Sequence, residues 1–312
     1  MKKYVGKRIL VSLATLFVIL LVLFFMMDLM PGSPFNDEKL TEAQLALLYA
    51  KYGLDKPFLI RFVTYLKNML TGDFGVSYAI NKNFSVTAMV GSRLLLSIKL
   101  GLLAMVIGTV VGLILGILAA LNHNTWIDTL CSTISVVGVS LPAYVFALVL
   151  CYFLAYKMGL FPILYDAKAA TNSLILPAIA LSFSPIANIA RFTRSEMLDV
   201  LNSDYILLVK SKGLKDYKVI IKHALRNSLI PIITVMGPIM VNLLTGSSVV
   251  EKVFAIPGIG TLMITAIQMN DYNVTIACAF VYSLMYIVTM LVVDILYGVI
   301  DPRIRITKEG SK

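Results

Sequence analysis

Residues 203–231 read SDYILLVKSKGLKDYKVIIKHALRNSLIP, a polar and basic interruption between two of the most apolar parts of the chain. Ser203 is placed to cap a helix whose first turn carries Asp204 and whose last turn carries Lys210 and Lys212. Gly213 follows, the residue type that best tolerates the left-handed position after a helix end. The helix so predicted has about nine residues. At about 1.5 Å per residue it is roughly 14 Å long, less than half of a ~30 Å hydrocarbon layer, so it cannot cross a membrane. A second helix is predicted after Gly213. On a 100° wheel Lys215, Lys218, Lys222 and Arg226 share one stripe, with Tyr217, Ile220, Ile221 and Ala224 opposite, which makes one face wet and the other packed. Taken alone, such a charge run is either a solvated loop or a docking element for a soluble partner.

On both sides of this stretch the sequence turns apolar. Of 312 residues 59% are hydrophobic and only 14% are charged, a balance foreign to soluble globular domains. Several runs exceed the roughly 18 apolar residues that license a membrane span, so the chain is all-α and polytopic. Long continuous runs exclude a transmembrane barrel, whose strands alternate. Six spans are predicted, at about 9–30, 94–121, 129–156, 174–197, 229–250 and 274–300. The net charge of +10 is distributed by membrane side and implies no nucleic acid. Lys2, Lys3, Lys7 and Arg8 precede the first span, eight Lys and Arg lie between Arg191 and Arg226, and four follow Ile300. By the positive-inside rule both termini and the 203–228 loop are cytoplasmic. Residues 1–93 comprise the first span and an external segment with short surface helices, residues 94–301 the core, and residues 302–312 a cytoplasmic tail.

Individual positions refine this plan. Gly108, Gly112 and Gly116, with Gly101 seven residues before them, form a strip without side chains along one face of the second span, a packing signal. Pro142 is expected to kink or break the third span, and the fourth carries Pro177 and Pro185. In the fifth, Asn242, Thr245 and Ser247 are unusually polar for a lipid-facing helix, which suggests either interhelical hydrogen bonds or a hydrated translocation route. Asp28 falls at the outer edge of the first span and reads as interfacial or functional, Lys99 as a snorkelling lysine or a partner for an acidic substrate group, and Asp294 as an ion-pair or capping residue rather than a substrate site. Cys131, Cys151 and Cys278 each fall within an apolar span and read as small buried hydrophobes; His123 and His223 lie in different loops without metal-ligand spacing. No phosphate-binding GxxxxGK[ST] loop, nucleophile-base pair, zinc motif or cofactor fingerprint occurs, so neither catalytic nor metal-ligating residues are assigned.

A glycine within such a loop followed by HALRNSLIP resembles the coupling loop of ABC importer permeases, in particular the oligopeptide/dipeptide group. The Glu-Ala-Ala of the general loop would align with Leu207, Leu208 and Val209, and its proline with Arg226, departures which that group shares. LYAKYGLDKP, GDFGVSY, SLPAYVFALVLCYFLAYKMGLFP, TGSSVVEKVFAIPGIG and LVVDILYGVIDPRIR resemble the B-type subunit, in the same order along nearly the whole chain. The resemblance implies a type I ABC importer permease fold in a bacterial cell membrane and a homologous second permease subunit. It also implies two ATP-binding cassette subunits that carry ATP and Mg, and an extracellular peptide-binding protein. Asp204, Tyr205, Lys210, Lys212 and Gly213 would couple to the ATPases. Dipeptide, oligopeptide, nickel or another small solute all remain open as cargo. The reading from a different class is a stand-alone secondary transporter, for which internal repeats or coupling-ion sites at broken helices would be expected.

Overall fold

The computed structural model describes residues 2–29, 35, 41–246 and 248–300, and the expected tail therefore lies outside the described residues. Among these residues the chain is helical, with a single isolated antiparallel bridge between Val76 and Ser85. In order the helices are α1 (Lys2–Leu29), α2 (Glu42–Tyr52), α3 (Phe58–Leu70), α4 (Val86–Leu121), α5 (Trp126–Ser140), α6 (Ala143–Leu150), α7 (Ala170–Leu201), α8 (Asp204–Ser211), α9 (Asp216–Lys218), α10 (Arg226–Gly246), α11 (Ser248–Val253), α12 (Ile259–Gln268) and α13 (Tyr272–Ile300). Five of them are long and apolar enough to cross a membrane, or six spans if the bent pair α5 and α6 counts as one. The chain divides into two compact units, one within residues 1–97 and 257–287, the other within 98–256 and 288–312.

In the first unit the expected external segment supplies short helices. α2 starts at a capping box in which Thr41 and Gln44 satisfy each other's backbone N–H groups, and ends at Gly53 with φ +66°. α3 packs Phe62 and Met69 onto Leu16 and Leu20 of α1, and Phe24 meets Phe58 and Phe62 edge-on at 5.5 and 5.4 Å. Asp28 pairs with Arg61 of α3. A second core joins the start of α4 to α12 and α13 through Val86, Val90, Ile259, Leu262, Val274 and Cys278. Beside it the fully buried Asp271 accepts from Ser77 Oγ at 2.5 Å and from the backbone N–H groups of Tyr78, Ala79 and Ile80 at 3.1, 3.0 and 3.1 Å. One carboxylate thus satisfies four donors and fixes the loop of GDFGVSY against the start of α13.

The second unit is built around α7, whose buried residues include Leu176, Ala178, Ile189 and Met197. α5, α6 and α10 pack on it. The glycine strip of α4 meets it as well. A Cβ built on Gly108 would lie 2.4 Å from Pro185 Cβ, and one on Gly116 would lie 2.5 Å from Thr193 Cβ and 2.7 Å from the Ala190 carbonyl oxygen. Here the two backbones touch, which is what a small-residue strip allows. Gly116→Leu is expected to cost about 1–3 kcal/mol or more through overpacking, read as a lower unfolding temperature of the purified chain in detergent.

The third span departs from a single helix. At Leu141, extended (ψ 130°) as residues before proline are, the chain turns so that α5 and the arm starting with α6 differ in direction by 104°. A kink or break was expected at Pro142; the observed bend makes two arms of what the sequence places at 129–156. The second arm continues from α6 through a π-helical turn, Cys151–Lys157. Trp126, 74% exposed at the start of α5, suits an interfacial anchor.

Candidate docking surface

α8 occupies Asp204–Ser211, one residue shorter than the helix predicted from the sequence. Gly213 has φ +75° and closes the end, its N–H donating to the Lys210 carbonyl at 2.9 Å. No atom lies within 4 Å of where a Cβ on Gly213 would stand, so its role is conformational and not a matter of space. Ser203 sits at the N-cap position with extended backbone, but its hydroxyl donates back to the Val200 carbonyl and does not cap α8. The backbone of the preceding turn competes for that hydroxyl and wins.

The second helix is also different from its wheel. It begins as α9, widens into a π-helical segment, Val219–Leu225, and runs on into α10. Lys215, Lys218, Lys222 and Arg226 are exposed as expected, but Tyr217 and Ile221 are 56% and 61% exposed, whereas Val219 and Ala224 are buried. A π segment holds more residues per turn than the 3.6 assumed by the wheel, so the packed face shifts within one turn.

Ile206, 1% exposed, anchors α8 in a small core with Ala120, Met197, Val219 and Ala224, and Asn227 Nδ2 donates to the Tyr205 hydroxyl at 2.8 Å. The outward surface is then Asp204, Tyr205, Leu207, Leu208, Lys210 and Lys212. Leu207 and Leu208 are 70% and 57% exposed. Exposed leucines also occur on other helices of this chain, but on α8 the pair stands between the exposed Asp204 and the exposed Lys210 and Lys212. Two leucines among solvated lysines are an apolar patch in a polar rim, the anatomy of a protein interface. Sequence reading favoured the charges and missed this pair, although residues 205–209 already carry more consecutive apolar side chains than one face of a short helix can bury.

A part-buried ion pair ties α7 to α5 near the start of α8. Arg194 of α7 donates from Nε to Asp128 Oδ1 at 2.6 Å and from Nη2 to Oδ2 at 2.7 Å, while the Asn124 N–H donates to Oδ2 at 3.0 Å. His123 Nδ1 lies 3.1 Å from the same oxygen. The bidentate fork fixes α5 to α7 about two turns before α7 ends and α8 begins. Met197 of α7 packs in the same core as Ile206, so α8 is seated directly on the end of α7.

The translocation candidates fare unevenly. Asn242 is exposed while its neighbours Val241 and Leu243 are buried, so it points away from this chain's own core. Thr245 belongs to α10 with its side chain outside the described residues; Ser247 lies outside them altogether, as does the Asp294 side chain. Lys99 is exposed on α4. Among the described residues no three His, Cys, Asp or Glu side chains cluster as metal ligands would.

Residues 112–306 match the family described as binding-protein-dependent transport system inner membrane component. The chain belongs to that family. Over 306 residues, 98% of this chain and 100% of the relative, it is 44% identical to the dipeptide transport system permease protein DppB of Lactococcus lactis subsp. cremoris. It is 39% identical, over the same shares, to the oligopeptide transport system permease protein OppB of Haemophilus influenzae. Solved structures share the fold: a chain of the inward-facing MetNI methionine ABC transporter superposes with a TM-score of 0.58 at 15% identity, covering 68% of this chain and 96% of that one. A chain of an amino acid ABC transporter with histidines gives 0.54 at 18% identity, over 68% and 94%. The type I importer permease architecture expected from the sequence is therefore the architecture of this family member.

Proposed function

We propose that this chain is the membrane-spanning permease subunit of an ATP-driven importer of peptides, dipeptides or oligopeptides, and that it forms half of the translocation pathway beside a homologous permease. The observation that carries the reading is the match along 98% of the chain to peptide permeases, joined to a short helix that presents Leu207 and Leu208 outside any membrane-spanning segment. Two separate ATPase subunits, which hold ATP and Mg, receive α8 on the cytoplasmic side, and an extracellular binding protein delivers the peptide. Sixteen Lys and Arg at the N-terminus, between Arg191 and Arg226 and after Ile300 support that orientation, with both termini inside. Closure of the ATPases moves α8 with α7 and turns the pore from inward-open to outward-open, a rigid-body alternating-access step. A stand-alone secondary transporter leaves the apolar face of α8 without an occupant.

In this reading Asn242 faces the route or the second permease. A strain lacking this chain is expected to lose peptide uptake and to regain it from a plasmid copy. Asn242→Leu is expected to lower uptake severalfold while assembled complex stays at its ordinary level, since an apolar group at a hydrated wall removes a hydrogen-bonding partner worth about 1 kcal/mol. Restoration of uptake of another solute but not of peptides would reject the peptide assignment. Loss of assembled complex in Asn242→Leu would place that residue in helix packing.

A further inference from the structure

In the first unit, beside the end of α1 that carries Met27 and Asp28, lies a cavity of about 350 Å³ lined by Asp28, Lys51, Lys56, Arg61, Tyr65 and Asn68 among others. Its volume is within the range of small-ligand sites. Its polar groups do not balance. The Asp28 carboxylate is taken by Arg61 Nη2, and that of Asp73 accepts the Gly75 N–H at 2.8 Å. Arg61 Nε and the Tyr65 hydroxyl are buried and have no hydrogen-bond partner among the described residues. A guanidinium N–H can only donate, and burial pushes the Tyr65 phenol above its ordinary range, so it too remains an O–H donor. Lys51, whose Nζ stands 5.3 Å over the Tyr52 ring, and Lys56 add two ammonium groups with no carboxylate at ion-pair distance among the described residues. Beside the two carboxylates of the lining, two buried donors, Arg61 Nε and the Tyr65 hydroxyl, are thus left without an acceptor among the described residues.

The helices around the cavity narrow the choice of acceptor. α3, of 13 residues, is too short to span. On a 100° wheel Leu59, Val63 and Leu70, all more than 60% exposed, lie opposite Arg61, Tyr65 and Asn68, so the helix turns one half to hydrocarbon and lines the cavity with the other. On α1 the exposed Phe25, Met26 and Leu29 reach the turn of Asp28. The cavity therefore lies beside the polar end of an apolar helix, the kind of place where a span meets lipid headgroups.

We propose that this cavity binds the phosphate of an anionic phospholipid, with Lys51, Lys56, Arg61 Nε and the Tyr65 hydroxyl as donors and the acyl chains along Phe25, Met26 and Leu29 of α1. The site is separate from α8 and from the translocation residues. The test is native mass spectrometry of the full-length chain, reconstituted in equal parts of phosphatidylglycerol and phosphatidylcholine and then extracted in mild detergent. The wild type is expected to retain phosphatidylglycerol in preference. Lys51→Gln/Lys56→Gln is expected to lower the ratio about thirtyfold. Tyr65→Phe is expected to lower the retention of both lipids about fivefold and to leave their ratio nearly unchanged, because both carry the phosphate that the hydroxyl meets. Lys215→Gln/Lys218→Gln, which lowers net charge equally, is expected to leave it unchanged, and excess inorganic phosphate is expected not to displace the lipid. Equal retention of the two lipids by the wild type, or an unchanged ratio in Lys51→Gln/Lys56→Gln, would overturn the proposal. Displacement by inorganic phosphate would assign the cavity to a free anion, and a defect confined to capture of a binding protein would assign it to an acidic protein surface; either result overturns the lipid.

Discussion

Leu207→Asp/Leu208→Asp is expected to detach the ATPase subunits while leaving the permease folded. The two leucines are exposed in the chain by itself, so aspartates there lose no intramolecular packing, whereas in the complex each would carry a charge into the centre of an apolar contact. A hot-spot residue at the centre of an interface costs about 2 kcal/mol or more when lost, and a buried charge adds to this, so with the pair as the hot spot attachment is expected to weaken by about a hundredfold or more. Copurification with the ATPases and substrate-stimulated ATP hydrolysis in reconstituted complexes read this loss; the unfolding temperature of the isolated permease should not move. Gly213→Val is expected to act less strongly, through the ~1–2 kcal/mol needed to hold a β-branched residue at φ +75°, since no side chain competes for the space. Charge reversal at Lys210 and Lys212 is weaker again and fades with salt, because both ammonium groups are exposed rim charges.

Arg194→Gln carries the second large effect, on stability and coupling together. It would leave the Asp128 carboxylate, 7% exposed, without its bidentate partner. Removing one member of a fully buried pair costs about 3–5 kcal/mol, and a smaller loss is expected here because the Arg194 side chain is 30% exposed, whereas replacing both by apolar groups is often neutral. Arg194→Gln should therefore lower the unfolding temperature of the purified chain markedly, and Asp128→Leu/Arg194→Leu should recover most of it. The two variants separate stability from transmission. If the ion pair carries motion from α8 into α5, the double variant regains its fold but its ATP hydrolysis responds less to substrate; full recovery of both would make the pair purely structural.

What the sequence made legible was local. Long apolar runs, the glycine strip of α4, the break at Pro142 and the left-handed glycine after α8 each depend on residues within a turn or two of one another, and each stands where expected. Two misreadings were local as well. The Ser203 hydroxyl had a competing acceptor in Val200, and the π-helical segment at Val219–Leu225 put Tyr217 and Ile221 outside instead of inside. What sequence could not give were partners distant along the chain. Asp128 and Arg194 are 66 residues apart, and Asp271 and the loop it clamps are nearly 200 apart. No periodicity links such residues; only the packing of α5 on α7, or of the 71–85 loop on the start of α13, brings them together. The leucine pair of α8 was visible but was overshadowed by its lysines, because charge is easy to see in an apolar sequence and an excess of apolar residues is not.

The central claim is that α8 is seated on an ATPase subunit through Leu207 and Leu208. It is tested most directly by a photo-crosslinker placed at position 207 in the complete transporter, with position 156, where Tyr156 is 69% exposed on the second arm of the broken span, as the control. The expected result is an adduct between position 207 and the ATPase subunit that is absent from position 156 and whose yield changes when ATP is bound. Adducts from position 207 confined to lipid or to the second permease, with the ATPase still attached, would contradict it.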